Sequence, residues 1–386
     1  MKKKYVSRTI KILSFIIVVG FTLSFLQNFV FVNFGADKLR MEGFYKEERD
    51  TLDVVNIGAS DVFFGYSCAR AYQKCGYTSY SIATYQNPIS IYKAEIDEML
   101  KYQSPKQIVI EVNGILYNDD NVLTESSLRR YFDNIPLSFE KIQHLQEVVP
   151  NENMTSYIFP FVKYHSKIPT LREVYSNTKE LLAFRTKESA VLKGEFIDTS
   201  TNISGDCLDV TKDFSKCSLS DMSEKYLYEL LDYLDDKNLK NVIFVRYPHR
   251  IVDDDSYVRY QRSNKVEEIV TQRGYDFINF ERKINEIGLD MQKDFCDNEH
   301  MNVYGQRKFT DYFGEILCKK YDLNNSTTKL KSSDKRSLEN WDNAVEYYDL
   351  LFEFADDCVK NNKDYYLCET TEVMNMLNDF KMKNYN

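Results

Sequence analysis

The sequence, 386 residues long, is poor in the residues that characterise several protein classes. It has 13 glycines, 7 prolines and no internal repeat, which excludes a collagen-like or low-complexity chain. It contains one long uncharged apolar run rather than several, which excludes a multi-pass membrane protein. It has no Cys-x-x-Cys pair and no histidine beside a cysteine, so we expect no zinc site. No other metal and no organic cofactor is implied.

Basic residues are scarce beyond the N-terminus. The formal net charge of -9 combines five basic residues among the first 11 positions with a remainder of 45 basic and 59 acidic residues, or -14. Nucleic-acid binding depends on neutralising phosphates with Lys and Arg, so we expect no nucleic-acid partner. The same acidity makes a neutral glycan a better substrate candidate than a strongly anionic polymer.

The uncharged run covers residues 12–36. About 20 helical residues, at ~1.5 Å each, cross a hydrocarbon layer of ~30 Å, so the run predicts a transmembrane anchor. The alternative is a cleaved signal peptide, with a shorter apolar core of about 7–15 residues and a small-x-small site, whereas this run ends Phe34-Gly35-Ala36. Basic residues lie within positions 1–11, so the positive-inside rule predicts a single-pass protein of the cell membrane, with its N-terminus in the cytoplasm and its body outside.

All eight cysteines follow the anchor. An even number of cysteines in an exported body favours disulfides, with buried free thiols as the alternative. Pairing of sequence neighbours is the simplest expectation: Cys68–Cys75, Cys207–Cys217, Cys296–Cys318 and Cys358–Cys368.

Beyond the anchor, short apolar runs alternate with amphipathic patterns. The runs predict strands at 53–58, 107–112, 241–246 and 275–280, and the amphipathic patterns predict helices at 88–102, 219–239, 255–273 and 304–321. This alternation indicates an α/β domain over 51–325 with a parallel sheet covered on both faces. Residues 118–215 interrupt the rhythm and are interpreted as an insertion, with helical patterns at 139–148 and 171–184. Residues 326–386 are predicted to be a helical C-terminal extension.

The segment Asn56-Ile57-Gly58-Ala59-Ser60-Asp61 places a serine directly after the first strand. In parallel sheets, ligands bind at the carboxyl ends of the strands. Ser60 is therefore a candidate nucleophile, and its backbone amide is a candidate donor to an oxyanion. The alternative is a serine that caps the next helix.

A second segment, 294–302, supplies a base and an acid for such a serine. Asp297 and His300 are three residues apart in a predicted loop, where they can turn toward each other. Only four histidines compete for the role of base. His144 and His249 are interpreted as surface residues, and His165 is the remaining rival.

Together these segments resemble the SGNH (GDSL-like) hydrolase superfamily, over about residues 51–320. Gly58-Ala59-Ser60 is similar to the nucleophile block, and Asp297-x-x-His300 is similar to the final Asp-x-x-His block. The resemblance implies a three-layer flavodoxin-like fold with Ser60, His300 and Asp297 as a catalytic triad. It also implies oxyanion donors, here the Ser60 amide, the Asn113 side chain and the amide of Ala83 or Thr84, although no glycine stands where the family has one.

The chain looks most like membrane-anchored envelope members of the family, including proteins similar to teichoic-acid D-alanylation esterase-like proteins and polysaccharide O-acetyltransferase partners. The run from Tyr157 to Pro160 and the Tyr164-His165-Ser166 segment resemble a stretch found in that subgroup. The implied function is a serine esterase or O-acyltransferase acting on cell-envelope glycan or glycopolymer, with a membrane-bound acyltransferase as a possible partner. A non-catalytic envelope assembly or binding protein and an exported lipase-type esterase remain the alternatives.

Overall fold

In the computed structural model, the described residues are 2–30, 35–166, 169–187, 189–201, 203–323 and 335–385. The first helix, α1 (Lys2–Phe25), continues as one π-helical stretch, Leu26–Val30. Its segment Arg8–Phe25 is long and apolar enough to cross a membrane, and it is the one such helix among the described residues. No residue of that segment is buried within the body of the protein.

A five-stranded parallel sheet forms the centre of the body. The strands of the chain are β1 (Val54–Gly58), β2 (Ser79–Ala83), β3 (Gln107–Glu111), β4 (Ile197–Asp198), β5 (Val242–Arg246), β6 (Asp276–Asn279) and β7 (Tyr366–Leu367). The central sheet has the order β2-β1-β3-β5-β6, with Val54 paired to Ser79 on one side and to Gln107 on the other. The predicted α/β class and its four predicted strands are confirmed within two residues. The second strand, β2, was not predicted, because its two serines break the apolar pattern.

Helices connect the strands and cover the sheet. They are α2 (Ala36–Phe44), α3 (Ser60–Gly65), α4 (Cys68–Cys75), α5 (Tyr92–Leu100), α6 (Asp119–Val122), α7 (Glu125–Phe132), α8 (Phe139–Val148), α9 (Met154–Ile158), α10 (Pro160–Tyr164), α11 (Leu171–Thr186), α12 (Asp221–Asp236), α13 (Asp254–Gln272), α14 (Ile284–Ile287), α15 (Val303–Lys320), α16 (Lys335–Lys360) and α17 (Thr371–Tyr385). Short 3₁₀ turns occur at Ile89–Ile91, Asn113–Ile115, Asn151–Asn153 and Phe280–Lys283. The four helices predicted for the α/β domain are confirmed, with small shifts at their ends.

The strand order determines where a ligand site can form. The chain leaves β1 toward β2 at one edge and then returns to build β3, β5 and β6 on the other side. Because such crossovers are right-handed, the two directions place their helices on opposite faces of the sheet. Accordingly, α4 packs against α15, and α5 packs against α12. The reversal opens a crevice at the carboxyl ends of β1 and β3, where doubly wound sheets of this order bind their ligands.

The C-terminal residues pack onto the rest of the body. Helix α16 lies against α4, and β7 pairs antiparallel with β4 of the insertion. A separate apolar cluster joins these segments, and its members include Leu192, Ile197, Val303, Leu351, Leu367 and Leu377. A helical extension was predicted for 326–386, and its two helices are present, although Tyr366 and Leu367 form a strand. Residues 326–334 lie outside the described part of the chain.

The predicted disulfides are wrong, because none of the eight cysteines, all of which lie within the described residues, forms a disulfide. Cys68 begins α4 and Cys75 ends it. Seven residues of helix separate their Cα atoms by ~10 Å, beyond the ~7 Å that a disulfide can bridge. Cys318 lies beside Cys75 instead, with its Sγ 3.8 Å from the Cys75 carbonyl oxygen. The Sγ of Cys296 lies 3.4 Å from the carbonyl oxygen of His300.

Candidate active site

Ser60 stands at the carboxyl edge of the central sheet. Strand β1 ends at Gly58, and α3 begins at Ser60 with Ala59 as its N-cap residue. A side chain at position 58 would put its Cβ 2.8 Å from the Cβ of Glu111, so only glycine permits this close approach of β1 and β3. The turn leaves Ser60 8% exposed at the edge of the crevice.

A chain of hydrogen bonds connects Ser60 to the two other predicted site residues. The Oγ of Ser60 lies 2.7 Å from Nε2 of His300. The Nδ1 of His300 lies 2.8 Å from Oδ2 of Asp297. The structure therefore brings Ser60, His300 and Asp297 together in the order that a serine, its base and the orienting acid require.

The loop that carries Asp297 and His300 is held at both of its ends. Phe295 and Met301, both buried, form a β-bridge across its neck. Inside the loop, Oδ1 of Asp297 accepts hydrogen bonds of 2.7 Å from the amides of Glu299 and His300. These bonds fix the carboxylate while its other oxygen remains bonded to the imidazole.

The helix after this loop starts with two sequence-specific features. The side chain of Asn302 caps α15 by accepting hydrogen bonds from the amides of Tyr304 and Gly305. A Cβ at position 305 would lie 2.1 Å from the carbonyl oxygen of Asp294, so this position requires glycine. The cap and the glycine together bring the helix close enough to hold the loop against the sheet edge.

The electrostatics of the site favour a basic imidazole. Burial of His300 disfavours its charged form, but the hydrogen bond that its imidazole donates to Asp297 and the charge of Asp61 outweigh burial and raise the pKa of His300. Burial also opposes ionisation of Asp297, yet its bonds to His300 lower the pKa of the carboxyl. The ring of Phe64 packs on the imidazole with a centroid distance of 4.6 Å. The site is thus arranged to accept a proton at Nε2 and to stabilise it.

A second buried pair lies directly beside Ser60. Nε2 of His249 lies 2.7 Å from Oδ1 of Asp61, and Nδ1 lies 3.1 Å from Oε1 of Glu281. The interpretation of His249 as a surface residue is therefore wrong, since it is only 5% exposed. Its loop follows β5 by three residues and turns inward at the same sheet edge as Ser60. This position after a strand was the sequence signal that could have identified it.

The pair belongs to a wider buried network of charges. Arg246 donates to Oε1 of Glu281 at 3.0 Å and lies 3.8 Å from Oε1 of Glu111. Burial and the charge of Asp61 raise the pKa of Glu111 to about 8. Burial and Arg246 disfavour a charge on His249, but Asp61 and Glu281 outweigh them and raise its pKa to about 9. With Glu111 neutral, the carboxylates of Asp61 and Glu281 face the cations of His249 and Arg246 beneath Ser60.

The predicted oxyanion donors have different surroundings. The Ser60 amide is at the first position of α3 and has no acceptor within the helix. The Nδ2 of Asn113 donates to Oδ2 of Asp61 at 2.8 Å, and its Oδ1 accepts from Arg246 at 2.9 Å. One of the two hydrogens on Nδ2 is therefore engaged by Asp61, which leaves one for a substrate.

Ala83 does not suit the role of oxyanion donor. It is the last residue of β2, and its carbonyl oxygen accepts from Arg40 of α2 at 2.9 Å, on the side away from β1. In a β-strand, the amide and the carbonyl of one residue point to the same side, and residues two apart point alike. The amide of Ser81, two residues before Ala83, donates to the carbonyl oxygen of Lys193 on that outer side. The Ala83 amide therefore points away from Ser60. The amide of Thr84 is the other candidate.

The other two histidines lie elsewhere. His144 is half-buried on α8, and its Nε2 lies 2.9 Å from Oδ2 of Asp97. His165, the rival base, is exposed after α10, and its Nδ1 contacts the carbonyl oxygen of Val162 at 2.5 Å. Among the four histidines, His300 is the one that contacts Ser60.

A polar cleft of about 410 Å³ opens beside the loop that carries His300. Its lining residues are mostly hydrogen-bonding side chains from the carboxyl edge of the sheet and from α13, and they include Gln86, Tyr117, Asn118, Arg259, Arg262 and Glu299. Arg259 donates to Oε1 of Glu299 at 2.7 Å, which ties the cleft wall to the residue before His300. The cleft therefore offers hydrogen-bond partners rather than an apolar surface.

The sequence matches no protein-family model, and no curated protein matches it significantly.

Replacing His249 with Gln tests the buried network, because it keeps a polar side chain and removes the cation. Loss of one partner of a buried ion pair costs ~3–5 kcal/mol. The contacts that raise the pKa of His249 also stabilise the fold. This stabilisation is fully present when the pH is below the ordinary histidine pKa of 6.5, and it is lost as the pH rises through about 9. We therefore expect His249→Gln to lower the unfolding temperature of the detergent-solubilised chain more at about pH 6 than at about pH 10.

The matched control is His144→Gln, which breaks the half-buried contact with Asp97. We expect a smaller loss of stability for this control. An equal loss for His249→Gln at both pH values would contradict the charged state assigned to the network.

Proposed function

We propose that the chain is a serine ester hydrolase or O-acyltransferase of the SGNH type. The observation that carries the proposal is the continuous hydrogen-bonded series from Ser60 Oγ through His300 to Asp297, with distances of 2.7 and 2.8 Å. A serine hydroxyl is a weak nucleophile until an adjacent base removes its proton. The same loop supplies that base and holds it in one orientation.

In the first half-reaction, Ser60 Oγ attacks the carbonyl carbon of an ester while its proton passes to His300 Nε2. The resulting oxyanion is stabilised by the Ser60 amide, with Asn113 and the Thr84 amide as the further candidate donors. Collapse of this intermediate breaks the ester C–O bond, and His300 returns the proton to the leaving alcohol. The acyl group stays on Ser60, while Asp297 stabilises the charged imidazole at each step.

In the second half-reaction, an acceptor hydroxyl attacks the acyl-serine. His300 takes the proton of that hydroxyl and then gives it to Ser60 Oγ, which restores the free enzyme. Water as acceptor gives hydrolysis, and a sugar hydroxyl gives transfer. The polar cleft lined by Glu299, the residue before His300, supports a hydroxyl-rich acceptor or leaving group, whereas a long-chain lipase substrate needs an apolar groove.

We further propose that α1 is retained as a single-pass anchor with a cytoplasmic N-terminus, so that the body works outside the membrane. Basic side chains before the apolar run of α1 support this orientation. The proposed substrate is a cell-envelope glycan or glycopolymer, and a membrane-bound acyl donor is the proposed partner. An anchored enzyme suits a large, immobile substrate of this kind.

A fluorophosphonate probe tests the catalytic proposal, because it forms a covalent bond only with an activated serine. We expect labelling of Ser60 in the full chain and a loss of labelling in Ser60→Ala and His300→Gln. Ser126→Ala, at an exposed serine of α7, is the matched control and should label like the wild type. Folded protein that does not label at Ser60 would support the non-catalytic alternative instead.

The pH dependence of ester hydrolysis tests the role of Asp297. His300 acts as a base only when neutral, and its pKa is raised above 6.5, so kcat/KM should rise with pH around a midpoint above that value. Asp297→Asn removes the charge that favours the imidazolium. We expect it to move the midpoint downward and to lower kcat by as much as ~10⁴-fold.

The measurement is a pH–rate profile with p-nitrophenyl acetate, and Asp236→Asn, at an exposed residue of α12, is the control. An unchanged midpoint in Asp297→Asn would argue against the assigned role. A preference for palmitoyl over acetyl esters would favour the lipase alternative.

A further inference from the structure

The insertion lies beside the end of the membrane-spanning helix candidate. A groove of about 690 Å³ separates them, and its lining residues from α1 and the following π-helical stretch are Gly20, Leu23, Ser24 and Gln27. Its opposite wall includes Leu137, Phe159 and Pro160, and Arg185 of α11. Gly20 and Leu23 belong to the segment Arg8–Phe25 that is apolar enough to span. Body residues that share a groove with them therefore lie at the level of the last turns of the span.

Helix α11 presents an apolar stripe to solvent. Leu171, Tyr175 and Leu182 are spaced four and seven residues apart, which places them on one side of the helix. They are 89%, 70% and 47% exposed. Leu181 and Phe184, on an adjacent side, are buried against the body. The stripe is thus not needed for packing of α11 onto the insertion.

The flanks of the stripe suit a lipid interface. Arg172 follows Leu171 by one residue and Lys179 follows Tyr175 by four, and both basic side chains are exposed. Long basic side chains beside an apolar stripe can cover hydrocarbon with their stems while their charged ends reach the headgroups. The acidic residues of this helix are engaged elsewhere: Glu173 bonds to Thr170 of the N-cap, and Glu180 accepts from the Thr371 amide.

Apolar side chains are also exposed near Leu137, on the groove wall that faces α1. Leu137 and Phe139 are 51% and 70% exposed where α8 begins. We define the lipid-facing surface as these two residues together with Leu171, Tyr175 and Leu182. Clustered apolar side chains that are exposed on a domain surface mark an interaction site.

We propose that the lipid-facing surface lies in the boundary between the headgroups and acyl chains of the bilayer that α1 spans. The proposal depends on retention of α1 as an anchor, but not on catalysis. Continuity with the spanning segment across the shared groove is the observation that selects lipid over a soluble protein partner. Contact at two places besides the anchor would hold the body in one orientation and fix the height of the Ser60 crevice above the membrane.

Photo-cross-linking to lipid tests this proposal in the full chain. The photoreactive residue p-benzoylphenylalanine replaces Phe139 or Tyr175, and the protein is reconstituted into vesicles of phosphatidylethanolamine and phosphatidylglycerol. Phe214 and Tyr228, aromatic residues that are 65% and 42% exposed and do not line the groove, are the matched control positions. We expect lipid adducts at 139 and 175, with at least several-fold lower yield at 214 and 228.

All four positions are exposed, so the replacements require no repacking, and the unfolding temperature of each variant verifies its fold. Intact mass of the reconstituted chain verifies that α1 is retained. Equal lipid yield at the control positions would overturn the proposal, as would adducts to a second copy of the chain in place of lipid. Ser60 labelling does not enter this readout, so failure of the catalytic proposal would leave the result interpretable.

Discussion

The hydrogen bond between Ser60 and His300 depends on two segments that are 240 residues apart meeting at one edge of one sheet. The parallel arrangement creates this meeting point, because every strand ends at the same edge and every following loop begins there. Gly58 permits the tight passage from β1 into α3, and Gly305 permits the close approach of α15 to the loop before it. The candidate site is therefore a consequence of strand order and of two backbone approaches that exclude side chains.

The buried charges beneath Ser60 have a second effect on this arrangement. Asp61 is adjacent to the serine in sequence, bonds to His249, and also contributes to the raised pKa of His300. Burying so many ionisable groups costs free energy unless each is paired, and here cations and carboxylates are matched when Glu111 is neutral. The network positions Asn113 as well, since Asp61 and Arg246 hold the two ends of its amide. A fixed electrostatic environment at the crevice floor is the result.

Some of this organisation could be predicted from the sequence, because it follows from local patterns. Ser60, Asp297 and His300 could be selected because each adjoins a strongly periodic element, and few histidines compete. His249 could not be recognised by composition alone, since its loop reads as polar and only its distance from the end of β5 places it inside. Strand β2 was missed because Ser79 and Ser81 interrupt its apolar run while the fold buries them.

Other predictions failed because they depend on the direction in which a group points in the folded chain, which the sequence does not show. Ala83 lies at the expected strand end, but the side to which its amide points depends on which neighbour occupies each edge of β2. Cys68 and Cys75 are close in sequence, yet a helix holds them apart, while Cys318 reaches Cys75 from a distant helix. The apolar stripe of α11 was likewise read as an ordinary helical pattern, because its exposure depends on which side the body covers.

We propose that Ser60 carries the acyl group between the two half-reactions. Rapid mixing of the full chain with p-nitrophenyl acetate, acid quenching and peptide mass mapping tests it most directly. We expect a transient acetyl group on the peptide that contains Ser60, formed at a rate at least equal to turnover. Turnover with no acetyl group on that peptide, or undiminished turnover by Ser60→Ala, would contradict it.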